Sequence, residues 1–309
     1  MTRPAGAAAR PAGAEAEWTT RRERGSVFLL RSMAVLSLIV GRRAGRVILH
    51  VIAAYFVLFA PQARRAATDY LRRALGRRPT IRDRYRQVMT FATTIHDRVY
   101  LLNDRFELFD ITVAGEELML GCVRAGRGAF LVGAHLGSFE VTRAIGRQRP
   151  DLRVAMVAYE ANARKINTMI AALNPALAQQ TVALGTLEAM LRVRGLLDEG
   201  AFVGMLADRT PGGEATEVVQ FLGAPARFPI GPMRLAALLE RQVILMLGLH
   251  CGGNRYRVVF EHIADFSGVA REQREAAIAA AVARYAARLE SHCREYPYNW
   301  FNFYDFWAR

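Results

Sequence analysis

FLVGAHLGSFE, residues 130–140, reads as a buried strand that enters a glycine-flanked turn and then a helix starting near Ser138. Working outward, short apolar runs bounded by Gly, Pro or Asp predict strands at 129–134, 152–159, 201–207, 243–249 and 256–262. Helical patterns lie between them, at 139–146, 162–173, 186–199, 232–241 and the long 271–295. Strands spaced by helices predict an α/β fold with a mostly parallel, covered sheet. No internal repeat or Pro/Gly linker divides residues 87–309.

His135 falls at the carboxyl end of the first of these strands, where open α/β sheets place their sites. Glu140 follows five positions later. On one continuous helix that spacing carries a side chain about 140° around the axis, so the two groups would face apart. They meet only if His135 lies in the turn and Glu140 in the first helical turn, an arrangement that Gly133, Gly137 and Ser138 encourage. Glu140 is then expected to accept a hydrogen bond from one imidazole nitrogen and leave the other as a general base for an alcohol. The alternative is a capped helix start whose histidine bonds the backbone. Ser138 is read as the N-cap, because Gly137-Ser138-Phe139-Glu140 lacks the G-x-S-x-G of a hydrolase elbow. Gly126-Arg127-Gly128 precedes a strand, so it is no dinucleotide fingerprint.

The chain has 309 residues, 52% of them hydrophobic, which excludes a disordered, collagen-like or small disulfide-stapled protein. Of 42 basic residues only Lys165 is not arginine. Residues 1–86 carry 18 arginines against five acids, whereas the remainder is nearly balanced. A basic end suits nucleic acid or an anionic membrane surface, and no zinc finger, RRM signature or basic zipper favours the former. Cys122, Cys251 and Cys293 are widely spaced and form no CxxC, so neither a disulfide framework nor a zinc site is expected, and a reduced compartment fits. His250-Cys251 has no third ligand at metal spacing.

Residues 1–20 read as a disordered leader and 21–86 as a basic, hydrophobic helical region that precedes an α/β domain over 87–309. Within it, the apolar runs 27–40 and 47–60 are flanked by arginines on both sides. A bilayer-spanning helix needs about 20 apolar residues, so these shorter runs predict a helix hairpin set into the membrane interface. Two core helices with a basic rim fit the same pattern.

Four blocks follow one another along the chain: the arginine-flanked hydrophobic segment, GAHLGSFE, the pair FVGMLADRTPGG and VVQFLGAPARFPIGPMRLA, and the aromatic tail PYNWFNFYDFW. In this order they resemble the bacterial lipid A late acyltransferases, the lauroyl- and myristoyl-transferase type within the H-x4-D/E glycerolipid acyltransferases. The likeness covers residues 20–307. It implies that His135 deprotonates an acceptor hydroxyl that attacks the thioester of an acyl carrier protein or coenzyme A. Glu140 would orient the histidine, with no covalent acyl-enzyme, no metal and no resident cofactor. It places substrate-binding roles on Asp208, Arg209, Gly223, Pro225 and Arg227, the last three in a stiff loop before the helix at 232. Without the resemblance, Asp208-Arg209 also fits a surface pair at a turn, and the tail fits either an acyl-groove wall or a segment docked on the core.

Ala158-Tyr159-Glu160 and Asp208-Arg209 depart from the lipid A enzymes and widen the expected acceptor to a lipid or glycolipid hydroxyl. The expected location is the cytoplasmic face of the cell inner membrane. A lysophospholipid acyltransferase, and a non-catalytic basic protein that binds membrane surfaces or nucleic acid, are the alternatives.

Overall fold

A computed structural model describes residues 27–149, 152–159, 181–209 and 214–307, together with 167, 168, 170, 171 and 173. The element order begins with four helices: α1 (Val27–Val40), α2 (Arg42–Phe59), α3 (Pro61–Leu75) and α4 (Ile81–Leu102). Then come β1 (Asp110–Ala114), α5 (Glu116–Arg124), β2 (Phe130–Gly133), α6 (Phe139–Gln148), β3 (Val154–Tyr159), β4 (Thr181–Leu184), α7 (Leu187–Asp198) and β5 (Phe202–Leu206). The chain continues through β6 (Thr216–Phe221), β7 (Ala224–Pro229), α8 (Gly231–Leu238), β8 (Gln242–His250), β9 (Arg255–Asp265) and α9 (Arg274–Glu295).

Seven strands form one sheet in the order β1-β9-β8-β2-β5-β3-β4. The β8–β9 pair is antiparallel and every other pair is parallel, so five strands run one way and β1 and β9 the other. Buried side chains alternate between two layers. Phe130 and Val132 join the core under α7, α8 and α9, whereas Leu131 joins the core under α5 and α6. The sheet is therefore covered on both faces, as continuous apolar strands require. All five predicted strands are present, shortened or extended by a few residues. The predicted helix at 162–173 lies largely outside the described residues.

The segment 223–231 was expected to be a loop, but Pro225–Pro229 lies on β7, which pairs antiparallel with β6. Leu222 (φ 51°) and Gly223 (φ 78°) form the two-residue turn, and positive φ at both positions matches the strand twist of a tight hairpin. Prolines suit this two-stranded ribbon because an edge strand need not donate to a neighbour.

The expected division at residue 86 falls inside α4, whose start is fixed by a reciprocal cap: Asp83 N–H donates to Thr80 Oγ1 and Thr80 N–H to Asp83 Oδ2. Buried Gly45, Leu49, Ala53 and Val57 recur every four residues along α2, the face it lays on α4. At one end, Arg42 donates two hydrogen bonds, 2.7 and 2.8 Å, to fully buried Asp97. Asp97 also accepts from Tyr256 Oη at 2.8 Å, so one buried carboxylate clamps helix α2, helix α4 and strand β9. Among the described residues no single helix is long and apolar enough to cross a membrane; α2 and α3 meet that measure only together, bent by 92°.

The turn after β2 is held by backbone contacts. Ser138 N–H donates to Gly248 O at 2.6 Å, and Gly137 N–H to Asn299 O at 2.8 Å. Gly137 has φ +81°, and a Cβ there would lie 2.1 Å from Gly248 O. Gly137→Ala should therefore lower unfolding free energy by roughly 1–3 kcal/mol. Gly121→Ala on helix α5, where a Cβ meets open space, should raise it by up to about 1 kcal/mol. Urea denaturation of both variants checks the pair, and equal midpoints would contradict it.

Candidate active site

Gly133 on β2 stands opposite Leu206 on β5 in parallel register. Two residues further along each strand, the chain reaches His135 and Asp208 together at the carboxyl edge of the sheet. His135 Nδ1 lies 2.8 Å from Asp208 Oδ1, and the His135 backbone N–H donates to Asp208 Oδ2 at 3.0 Å. Trp300 Nε1–H donates to the same Oδ2 at 3.0 Å. Asp208 is fully buried, which excludes a surface Asp-Arg pair. Burial alone would raise its pKa, but His135, Arg209 and the donated hydrogen bonds outweigh that and bring it down to about 2. An ionised carboxylate accepts only, so Nδ1 carries the proton and Nε2 keeps its lone pair.

The His135 side chain is 29% exposed, and with Nδ1 held by Asp208 the open edge of the ring is Nε2. Burial of its surroundings lowers the His135 pKa below the usual imidazole value, and Arg209 and Arg98 push the same way against the charge of Asp208. The ring is thus neutral near pH 7 and fixed in one tautomer, the condition of a general base.

The expected hydrogen bond from His135 to Glu140 is not made: the strand register delivers Asp208 to Nδ1 instead. Glu140 does sit in the first turn of α6 and is buried, but its carboxylate faces two cations, Arg98 Nε at 3.7 Å and Arg143 Nη1 at 3.9 Å. Arg98 comes from α4, so Glu140 ties the N-terminal helices to the helix that follows the histidine. Ser138 occupies the N-cap position with extended backbone but makes no side-chain cap bond.

Arg209 donates from Nε to Asn302 Oδ1 at 2.8 Å and from Nη2 to Phe301 O at 3.1 Å. Its guanidinium lies over the Tyr304 ring. The aromatic tail is docked on the core: Trp300 is fully buried against Tyr70, Phe221 and Phe306. No described contact joins Gly223, Pro225 or Arg227 to His135; Arg227 and Pro225 point outward from the β6–β7 ribbon, whose inner Phe221 and Phe228 pack on the tail.

Sequence reasoning missed the pairing of His135 with Asp208, the part of Trp300, and Arg98 with Arg143. A signal for the first was present. Two apolar strands of similar length, each ending in a titratable residue just past its last apolar position, are the pattern that adjacent parallel strands turn into a pair. Nothing local marks Trp300, which is 92 positions from Asp208.

No curated protein sequence matches the chain. The family model of the bacterial lipid A biosynthesis acyltransferases matches residues 18–309, a span that includes His135, Glu140, Asp208 and the aromatic tail. The chain therefore belongs to the bacterial lipid A biosynthesis acyltransferase family.

Proposed function

We propose that the protein transfers a fatty acyl group from a thioester, carried on an acyl carrier protein or coenzyme A, to a hydroxyl of a lipid or glycolipid. The observation that carries this reading is His135 at the strand end, its Nδ1 bonded to buried Asp208 while the ring stays partly exposed. His135 Nε2 takes the proton as the acceptor oxygen attacks the thioester carbonyl. The tetrahedral intermediate then expels the thiolate, which recovers that proton from the imidazolium, so ester and thiol leave and the enzyme is restored. Asp208 acts through the histidine, holding its tautomer and offsetting the imidazolium charge. Arg209, fixed by Asn302 and Phe301, supplies positive charge beside the histidine for the developing oxyanion. Glu140 holds Arg98 and Arg143 by ion pairs.

The reaction is proposed to run at the cytoplasmic face of the inner membrane. Helices α1 and α2 turn Ile39, Val47, Val51, Tyr55 and Phe59 to solvent, each at least half exposed. An apolar face of this kind, ringed by arginine, fits an anionic bilayer interface.

His135→Ala should abolish acyl transfer, and Asp208→Asn should lower kcat/KM by about 10²–10⁴-fold with folding retained; full activity in either would refute the base. Because the active form is deprotonated and its pKa is depressed, the acid limb of kcat/KM against pH should fall below about 6.5. Asp208→Asn should move that limb further down and Arg209→Gln should move it up, since Asp208 raises the histidine pKa and Arg209 lowers it.

Val51→Asp/Phe59→Asp should stop co-sedimentation with anionic vesicles. Deleting the whole region is a poorer test, because Arg42 is bonded to buried Asp97. Unchanged sedimentation of the double variant would remove the membrane reading. Lipid mass spectrometry of cells with and without the gene identifies the acceptor, as the species that becomes lighter by one acyl group.

A further inference from the structure

A cavity of about 540 Å³ opens between α3 and the start of α4, lined by Arg64, Arg65, Arg72, Arg78 and Arg84 with Thr68, Asp69 and Pro79. None of these residues belongs to the His135 site. On α3 they occupy the face opposite buried Ala67, Tyr70, Leu71 and Ala74, since each residue turns about 100° around the axis. Five arginines and a single carboxylate line it, and Asp69 is already held by Arg72 at 2.6 Å and by Arg73 at 3.0 Å. Arg65 and Arg78 make no ion pair or side-chain hydrogen bond among the described residues. Arg84 Nε is buried there without a hydrogen-bond partner.

Like charges gathered in a concave site repel one another, and a donor shut away from water is unfavourable unless an acceptor reaches it. Planar guanidinium forks match phosphate oxygens in pairs. The volume suits a group larger than one phosphate, and its concavity suits an inserted headgroup better than a flat acidic protein surface.

We infer that the α3–α4 cavity is a binding site for a polyanionic group bearing phosphate, separate from the acyl-transfer centre. Such a group is presented either by an anionic lipid headgroup or in free solution. Arg64 follows exposed Phe59 by five positions, so a lipid whose tails lie along the apolar face of α2 would present its headgroup there. The lipid source rests on the membrane reading above, and the free-phosphate source does not.

The full chain should be titrated calorimetrically with inorganic pyrophosphate and, separately, sedimented with phosphatidylcholine vesicles with and without cardiolipin. Arg65→Gln/Arg78→Gln/Arg84→Gln is compared with Arg124→Gln/Arg192→Gln/Arg271→Gln, which removes the same charge from exposed positions elsewhere. The cavity triple should weaken pyrophosphate or cardiolipin-dependent binding by about tenfold or more, and the control by about twofold or less. A selective loss with vesicles assigns the lipid headgroup; a selective loss with pyrophosphate alone assigns a free phosphate compound. Equal losses in both triples, or no binding of either probe by the wild type, overturns the site. If wild type ignores vesicles but binds pyrophosphate, and only the cavity triple loses that binding, the cavity stands and the membrane reading falls. Should the Arg84 substitution unfold the protein, Arg65→Gln/Arg78→Gln against Arg124→Gln/Arg192→Gln gives the same comparison at exposed positions alone.

Discussion

A single carboxylate shut away from water, Asp208, sets the arrangement of everything around it. An unpaired charge in that position would cost several kcal/mol, so the fold must bring donors to it. They come from three places: the imidazole of His135, the main chain of the same residue, and the indole of Trp300. Satisfying the aspartate thus fixes where strand β2 ends relative to β5 and draws the C-terminal tail across the sheet edge. The histidine's readiness as a base is a by-product of that requirement. One tautomer satisfies Asp208, and it is the one that leaves Nε2 free.

The arginines around the histidine work in the opposite sense. Burial, Arg209 and Arg98 favour the uncharged ring, whereas Asp208 favours the charged one. A base must be neutral at rest and cationic once loaded; the cations and burial keep the resting ring neutral, and the Asp208 charge limits the cost of loading it. Glu140 belongs to this balance through its two cations and makes no hydrogen bond or ion pair with the ring. The five-residue spacing of histidine and glutamate has a structural reading here: it sets the glutamate on the first turn of α6, where Arg98 from α4 reaches it.

What the sequence disclosed follows the range of the forces involved. The strand–turn–helix at 130–140 was legible because apolar period, glycines and the helix start all act within a dozen residues. Helix α1 was legible at both ends for the same reason, bounded by polar residues and Gly41. The β6–β7 hairpin was not: Pro225 and Pro229 argue against a strand, and only the ribbon's two-stranded form, with no third neighbour to hydrogen-bond, makes them tolerable. The partner of His135 was half legible: both strands visibly end in a titratable residue, but nothing local says that the two strands are adjacent. Sequence separation of 73 residues gives no clue to that, whereas the order β8-β2-β5 settles it.

The bond from Trp300 to Asp208 has a consequence for biogenesis. Because one donor to the buried aspartate is translated 92 residues after it, a chain still on the ribosome with that residue inside the exit tunnel holds an unfinished centre. Premature termination before that codon would leave a polypeptide with all seven strands of its sheet and a buried aspartate short of one of its three donors.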